Sequence, residues 1–166
     1  MSDKSFPDPD ASSIDLNTEI IKLLTWNVWW KFENYKEREN LIISEINNSC
    51  PDILCLQEVW EETDESQAKI IADQLGYNYI FKKSFEFDGV AFGNAIITKF
   101  PINSHHTVMF KTEAEKDEKR FLLHLSLKYK SEMINVICTH LNYKYEHQQV
   151  REDQVNQIIE YISKLE

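Results

Sequence analysis

The chain has 166 residues, 42% of them hydrophobic and 12% aromatic, which suits one domain with a real core and excludes a disordered chain. Its formal net charge of −10 excludes an overall basic field that gathers nucleic acid, because phosphate binding needs clustered Lys and Arg. A bound divalent cation can still invert the sign locally.

Residues 1–18 are polar, carry Pro7 and Pro9, and read as a flexible leader ahead of a domain over 19–166. The stretch 19–30 is expected to form a strand buried on both faces. Leu41, Ile42 and Ile46 stand at helical spacing within 36–47, and Pro51 stops that helix before a second strand at 52–57. An acidic stretch, Glu61, Glu62, Asp64 and Glu65, follows; its ordinary reading is helix-end charge in solvent, and its alternative is a second metal site. Asp64 and Gln67 fit a capping box for a helix over 66–75, which Gly76 ends.

Strands are expected at 77–82, 94–99, 121–129 and 133–139, with alternation in 121–129 implying one exposed face. His105 and His106 fall in an expected loop after Pro101, and His124 falls inside a strand. Residues 147–165 read as an amphipathic helix with Val155, Ile158, Ile159 and Ile162 on its apolar stripe.

The cysteine count of three is odd, and Cys55 and Cys138 lie in apolar runs, which points to free thiols in a reducing compartment. The N-terminus lacks the basic and apolar regions of a signal peptide, and no apolar run approaches membrane-spanning length. The expected location is the cytoplasm. Neither GxGxxG nor GxxxxGK[ST] occurs, so a Gly-rich phosphate cradle is not expected.

Three apolar runs end in polar groups: 21–30 carries Asn27, 51–60 carries Glu58, and 133–142 carries His140 and Asn142. A carboxylate beside a buried strand must be solvated, paired or metal-bound. Magnesium needs only one or two protein carboxylates, so Glu58 alone suffices in type, whereas zinc would need several His or Cys ligands. Taken singly, Glu58 is an ordinary strand-end carboxylate, Asn27 a turn former and His140 a structural histidine. Their functional readings are a metal ligand, an amide that orients the metal or a phosphate oxygen, and a group that stabilises a phosphoryl oxygen or handles a proton. Trp26, Trp29, Trp30 and Trp60 crowd the same rim, where core packing outweighs substrate stacking. Together the three ends point to metal-assisted phosphoester hydrolysis.

The ordered series TWNVW, LQEVW, GNAIITKFPI, EKRFLLH, THLNYK and REDQ resembles the endonuclease/exonuclease/phosphatase superfamily, the DNase I-like hydrolases, from about Ile20 to the last residue. The resemblance implies an α+β fold, a four-layer α/β/β/α sandwich, and a magnesium cofactor, with manganese equally suited to an oxygen-rich site. It implies Glu58 and Asn27 at the metal, His140 and Asn142 at the scissile phosphate, and Arg120 as a positively charged, substrate-binding residue before the next strand. Arg151 and Gln154 match a helical pattern whose role is substrate contact or anchoring of the preceding loop.

Val59 and Trp60 follow Glu58, as in the sphingomyelinase-like and broader phosphohydrolase branches, where AP endonuclease-like members carry a Lys nearby. The implied partner is a phosphoester: nucleic acid, a phospholipid head group or a small molecule.

The family continues with a Gly-Asp-Phe-Asn-type strand end and an Asp-His pair, and neither follows THLNYK here. The sequence is therefore expected to be the N-terminal portion of such a domain. It is a fragment, a truncated gene product, or a chain completed by a second one. Without the second half, the first sheet is expected to expose open edges. A non-catalytic remnant acting as a binding module is the competing reading.

Overall fold

Apolar runs and their alternation sort the strands into two sheets in the computed structural model, which describes residues 20–111 and 119–165. The leader expected over residues 1–18 lies outside the described residues. The first sheet pairs β1 (Leu23–Asn27), β2 (Ile53–Glu61), β3 (Asn78–Phe87) and β4 (Val90–Thr98) in the order β1-β2-β4-β3. β1 and β2 are parallel and are joined by α1 (Tyr35–Ser49), while α2 (Gln67–Leu75) leads from β2 to β3. The second sheet is antiparallel, β5 (Ile102–Met109), β6 (Phe121–Tyr129) and β7 (Glu132–Thr139), and α3 (Gln148–Ile162) follows it.

Two apolar layers hold these elements. Ile42 and Ile46 of α1 and Ala68, Ile71 and Ala72 of α2 pack on Leu54, Leu56, Val59, Ala95 and Ile97 of the first sheet. Ile53, Cys55, Ile96, Phe121, Leu123, Leu125 and Cys138 form the layer between the sheets. Each such Leu or Ile, fully buried, contributes about 1.5–3 kcal/mol. α3 covers the outer face of the second sheet, where the Tyr161 hydroxyl meets His124 Nδ1 at 2.8 Å. This is the four-layer α/β/β/α sandwich that the resemblance implied. All three cysteines are free, and no helix among the described residues is long and apolar enough to cross a membrane.

Several local expectations need correction. The first strand is shorter than 19–30 and is not buried on both faces, because β1 lies at a sheet edge and Leu23 is 54% exposed. Leu41 is exposed, and only Ile42 and Ile46 of the helical triplet are buried. Ser66, not Asp64, occupies the N-cap of α2, and it makes no side-chain capping bond. Gly76 does end that helix, at φ 68°.

His105 and His106 lie in β5 rather than a loop, paired with Leu125 and His124 of β6. β6 has no fully exposed face: Leu122 and His124 are buried on the side expected to meet solvent, and Tyr161 of α3 reaches His124 there. Val155, Ile159 and Ile162 of α3 are exposed, and the buried positions of that helix are instead Val150 and Gln154.

One irregularity positions everything that follows. β2 shifts register between Gln57 and Val59, and β3 shifts between Lys83 and Phe85, both opposite Gly93 of β4. A Cβ on Gly93 would stand 2.1 Å from the Lys82 carbonyl oxygen, so only glycine lets the strands approach this closely. β2 therefore does not end at Glu58. It bulges there, continues to Glu61, and presents the Glu58 side chain off the regular alternation.

Candidate active site

Glu58 is the extra residue of the β2 bulge and sits at φ 58°. An L residue other than Gly, Asn or Asp pays about 1–2 kcal/mol for this left-handed conformation. Asn27, the last residue of β1, donates from Nδ2 to Glu58 Oε1 at 2.9 Å. The Asn27 Oδ1 accepts the Trp29 backbone N–H at 3.0 Å, which fixes the amide's orientation, because a backbone donor requires the oxygen on that side.

The loop after β1 keeps to the bulge by backbone bonds. Val28 N–H donates to the Gln57 carbonyl at 2.9 Å, and Trp30 N–H donates to the Glu58 carbonyl at 2.8 Å. Trp29, Trp30 and Glu33 all take positive φ in this turn. Arg38 of α1 gathers the carbonyls of Trp29, Trp30 and Phe32 at 2.9–3.1 Å and lies 4.8 Å over the Trp29 ring. Strain in the loop is thus held by one guanidinium.

His140 follows β7 directly, with Nε2 3.8 Å from Glu58 Oε1. Arg120, the residue before β6, places Nη1 2.7 Å from His140 Nδ1. A guanidinium only donates, so Nδ1 must carry the lone pair and the ring's proton sits on Nε2. Burial, and then the Arg120 charge, lower the His140 pKa to about 4. The ring is therefore neutral at pH 7. Its meeting with Glu58 is not an ion pair, and Nε2–H faces the carboxylate side as a donor. Phe92 stacks beside the ring at 6.5 Å, and Phe85 stacks on Phe92 at 4.6 Å.

Asn27, Glu58, His140 and Arg120 thus form one chain of contacts drawn from β1, β2, β7 and the start of β6. Two contacts of Asn142 fix the loop after His140. Its N–H donates to Gln154 Oε1 at 2.9 Å, and its Oδ1 accepts the Lys144 N–H at 3.0 Å. Arg151 donates to the carbonyls of Asn142, Lys144 and Tyr145. Arg151 and Gln154 therefore anchor the loop after His140 to α3, the second of the two roles open for them. Trp60 is 1% exposed and belongs to the packing beside α1, whereas Trp29 is 44% exposed at the rim.

Two residues of this region were not singled out from the sequence. Arg38 is unremarkable in an amphipathic helix, and only the folded loop reveals its partners. Asn94 carried a signal, a polar side chain inside the apolar run of β4. It is 4% exposed and shares a recess with Arg120, His140 and Phe92.

Magnesium suits the donor set at this rim. Glu58 supplies one carboxylate, 3.8 Å from His140 Nε2 and bonded by Asn27. Among the described residues no three His, Cys, Asp or Glu gather as a metal cluster, whereas a hydrated magnesium ion needs only one or two protein carboxylates. The acidic stretch lines a separate open cleft of Glu62, Asp64, Glu65 and Asp88, where Glu62 is paired with Lys31.

Solved structures share this fold. An endonuclease/exonuclease/phosphatase family protein from Leptotrichia buccalis C-1013-b superposes with a TM-score of 0.70 at 18% identity, over 86% of this chain and 63% of its own. Humanized D. rerio TDP2 gives 0.73 at 16% identity, over 88% and 57%. ANGEL2, a 2',3'-cyclic phosphatase, gives 0.72 at 24% identity, over 86% and 47%. The chain thus spans between about half and two thirds of the length of these proteins. No curated protein matches by sequence. The model of the endonuclease/exonuclease/phosphatase family matches residues 24–162, and the chain belongs to that family.

Proposed function

We propose that this chain carries the metal-binding and phosphate-binding part of a magnesium-dependent phosphoester hydrolase. The observation that supports it most is Glu58: a strained bulge carboxylate, held by Asn27 and faced by the donor Nε2–H of a neutral His140. Strain of this kind persists where function requires the geometry. Related folds include ANGEL2, a 2',3'-cyclic phosphatase, and a D. rerio TDP2 complexed with single strand DNA product.

In this reading Glu58 is the metal ligand, and Asn27 acts on the metal by fixing the Glu58 carboxylate. Bound magnesium would supply neutralisation of charge on the phosphoryl group. His140 donates from Nε2 to a phosphoryl oxygen, and its low pKa keeps it a neutral donor rather than a base at pH 7. Arg120 positions His140 and brings positive charge to the same oxygen. Asn142 holds the loop after His140, so its contribution is positional. A base for the attacking water is expected from further residues, supplied by a longer form of the chain or by a second chain. The edges of β1 and β7 pair on one side only among the described residues and offer the places for such strands. The substrate is a phosphoester that does not demand a basic duplex-binding surface, in keeping with the net charge of −10.

The test is hydrolysis of bis-p-nitrophenyl phosphate by the purified chain, with and without magnesium, beside Glu58→Ala. With the base supplied by a longer form of the chain or a second chain, magnesium-dependent release of nitrophenol is expected, falling on the order of 10³-fold in the variant, which corresponds to several kcal/mol. Hydrolysis indifferent to Glu58→Ala would sink the assignment. No hydrolysis even with those further residues present would favour the binding-module reading.

A further inference from the structure

Arg38 stands in the first turn of α1, and its guanidinium serves the loop after β1. Nε donates to the Val28 carbonyl at 3.4 Å, and Nη2 donates to the carbonyls of Trp29, Trp30 and Phe32 at 3.0, 2.9 and 3.1 Å. The far ends of the same peptide units hold the site. The unit joining Val28 to Trp29 gives its carbonyl to Arg38 Nε and its N–H to Asn27 Oδ1, at 3.0 Å. The unit joining Trp29 to Trp30 gives its carbonyl to Arg38 Nη2 and its N–H to the Glu58 carbonyl, at 2.8 Å. A trans peptide unit is planar, with its C=O and N–H pointing in opposite directions. Each unit is therefore a rigid strut between the guanidinium and the site. One strut reaches the amide that bonds Glu58 Oε1 at 2.9 Å, and the other reaches the Glu58 backbone.

The loop does not take this shape by preference. Trp29, Trp30 and Glu33 stand at φ 61°, 42° and 50°, which side chains with a Cβ disfavour. Asn34, at the N-cap of α1, adds no side-chain capping bond. The restraint comes from a charged donor, whose hydrogen bonds are stronger than neutral ones. A charge on each carbonyl also polarises its peptide unit, which strengthens the N–H bond at the other end. The geometry points to Arg38 as the positioning residue of the metal carboxylate, acting through two peptide units on Asn27 and Glu58. This rests on the reading of Glu58 as the metal ligand. Without the guanidinium the two N–H groups can turn away, the Asn27 amide loses its fixed orientation, and Glu58 loses the donor that holds it.

The experiment measures Mn²⁺ affinity of the full chain by water-proton relaxation, in the parent, Arg38→Met, Arg38→Lys and Glu58→Ala. Spectra of the Asn27 side-chain amide, taken without metal, accompany it. Affinity is expected to fall about tenfold in Arg38→Met, as for loss of other groups that orient a metal ligand. Arg38→Lys keeps a cation but not the planar fork, and is expected to lose less. The Asn27 Nδ2 proton signals are expected to move toward those of a free amide in Arg38→Met, a change that a purely structural role in a folded protein would not produce. Parental affinity in folded Arg38→Met, with affinity lost in Glu58→Ala, would overturn the role of Arg38 and leave the metal reading standing. Lower melting with parental affinity would make Arg38 structural, again overturning it. Should Arg38→Met not fold, parental affinity in Arg38→Lys would overturn the role in the same way. A parent chain that binds no Mn²⁺ at millimolar concentration would overturn both.

Discussion

Replacing Glu58 by glycine is expected to give a protein that is more stable than the parent and unable to hold a divalent cation at this rim. Glu58 stands at φ 58° in the bulge of β2, a conformation glycine adopts without steric cost. Relief of about 1–2 kcal/mol is partly offset by the greater unfolded-state freedom of glycine, about 0.5–1 kcal/mol. The net gain of about 1 kcal/mol corresponds to roughly 2–4 °C in Tm for a domain of this size. Glu58→Ala keeps the left-handed strain and should melt close to the parent, so the ranking glycine above alanine isolates the backbone effect. Loss of the exposed Asn27 bond contributes little, because water replaces the carboxylate at Asn27 Nδ2. Calorimetry of the three proteins, with and without magnesium, checks this. A Glu58→Gly protein that melts below the parent would remove the strain from the account. Retained stabilisation by magnesium would remove the metal role.

Arg120→Met is the second substitution with a large expected effect. The guanidinium fixes the Nε2–H tautomer of His140 and adds to burial in lowering its pKa to about 4. The ordinary unfolded value is about 6.5. His140 is thus protonated more readily in the unfolded chain, so its neutral state stabilises the fold fully above about pH 6.5. That stability is lost as pH falls toward 4, a swing of about 3 kcal/mol for a side chain that is 17% exposed.

In Arg120→Met the larger cause, burial, stays and the charge goes. The His140 pKa should therefore rise part of the way to its ordinary value, and the acid-dependent loss should shrink. The two neutral tautomers should both become populated, and hydrolysis should fall roughly 10–100-fold, as for loss of other groups that orient an active-site ligand. Imidazole ¹⁵N shifts against pH read the pKa and the tautomer together. A pure Nε2–H tautomer and an unmoved pKa in the variant would show that Arg120 does not position His140.

The buried strands were legible because continuous apolar runs have few other uses. That held within a residue for 52–57 and 94–99, and fully for 121–129 and 133–139, which fall on β2, β4, β6 and β7. β5 was not legible, since the sequence INSHHTVM is polar and belongs to an edge strand whose outward residues stay partly exposed. The continuation of β2 past Glu58 was hidden for a different reason. A bulge depends on the strands beside it, here on Gly93 and the matching shift in β3, and nothing local to LQEVW encodes that. α3 misled because Val155, Ile159 and Ile162 of its apolar stripe are exposed while Gln154 and Tyr161 face inward, each with a hydrogen-bond partner that periodicity cannot see.

At the site, polar residues closing apolar runs drew Asn27, Glu58 and His140 together on the page, and the fold brings the same three into contact. The tautomer lock of Arg120 and the work of Arg38 arise only from tertiary neighbours.

Paramagnetic Mn²⁺, standing in for magnesium, tests divalent-cation binding at the rim most directly, through broadening of backbone and side-chain NMR signals of the chain as it stands. Substoichiometric Mn²⁺ is predicted to broaden Asn27, Glu58 and His140 first, and to lose that effect in Glu58→Ala. Broadening centred instead on the cleft of Glu62, Asp64, Glu65 and Asp88, with His140 sharp, would contradict the account.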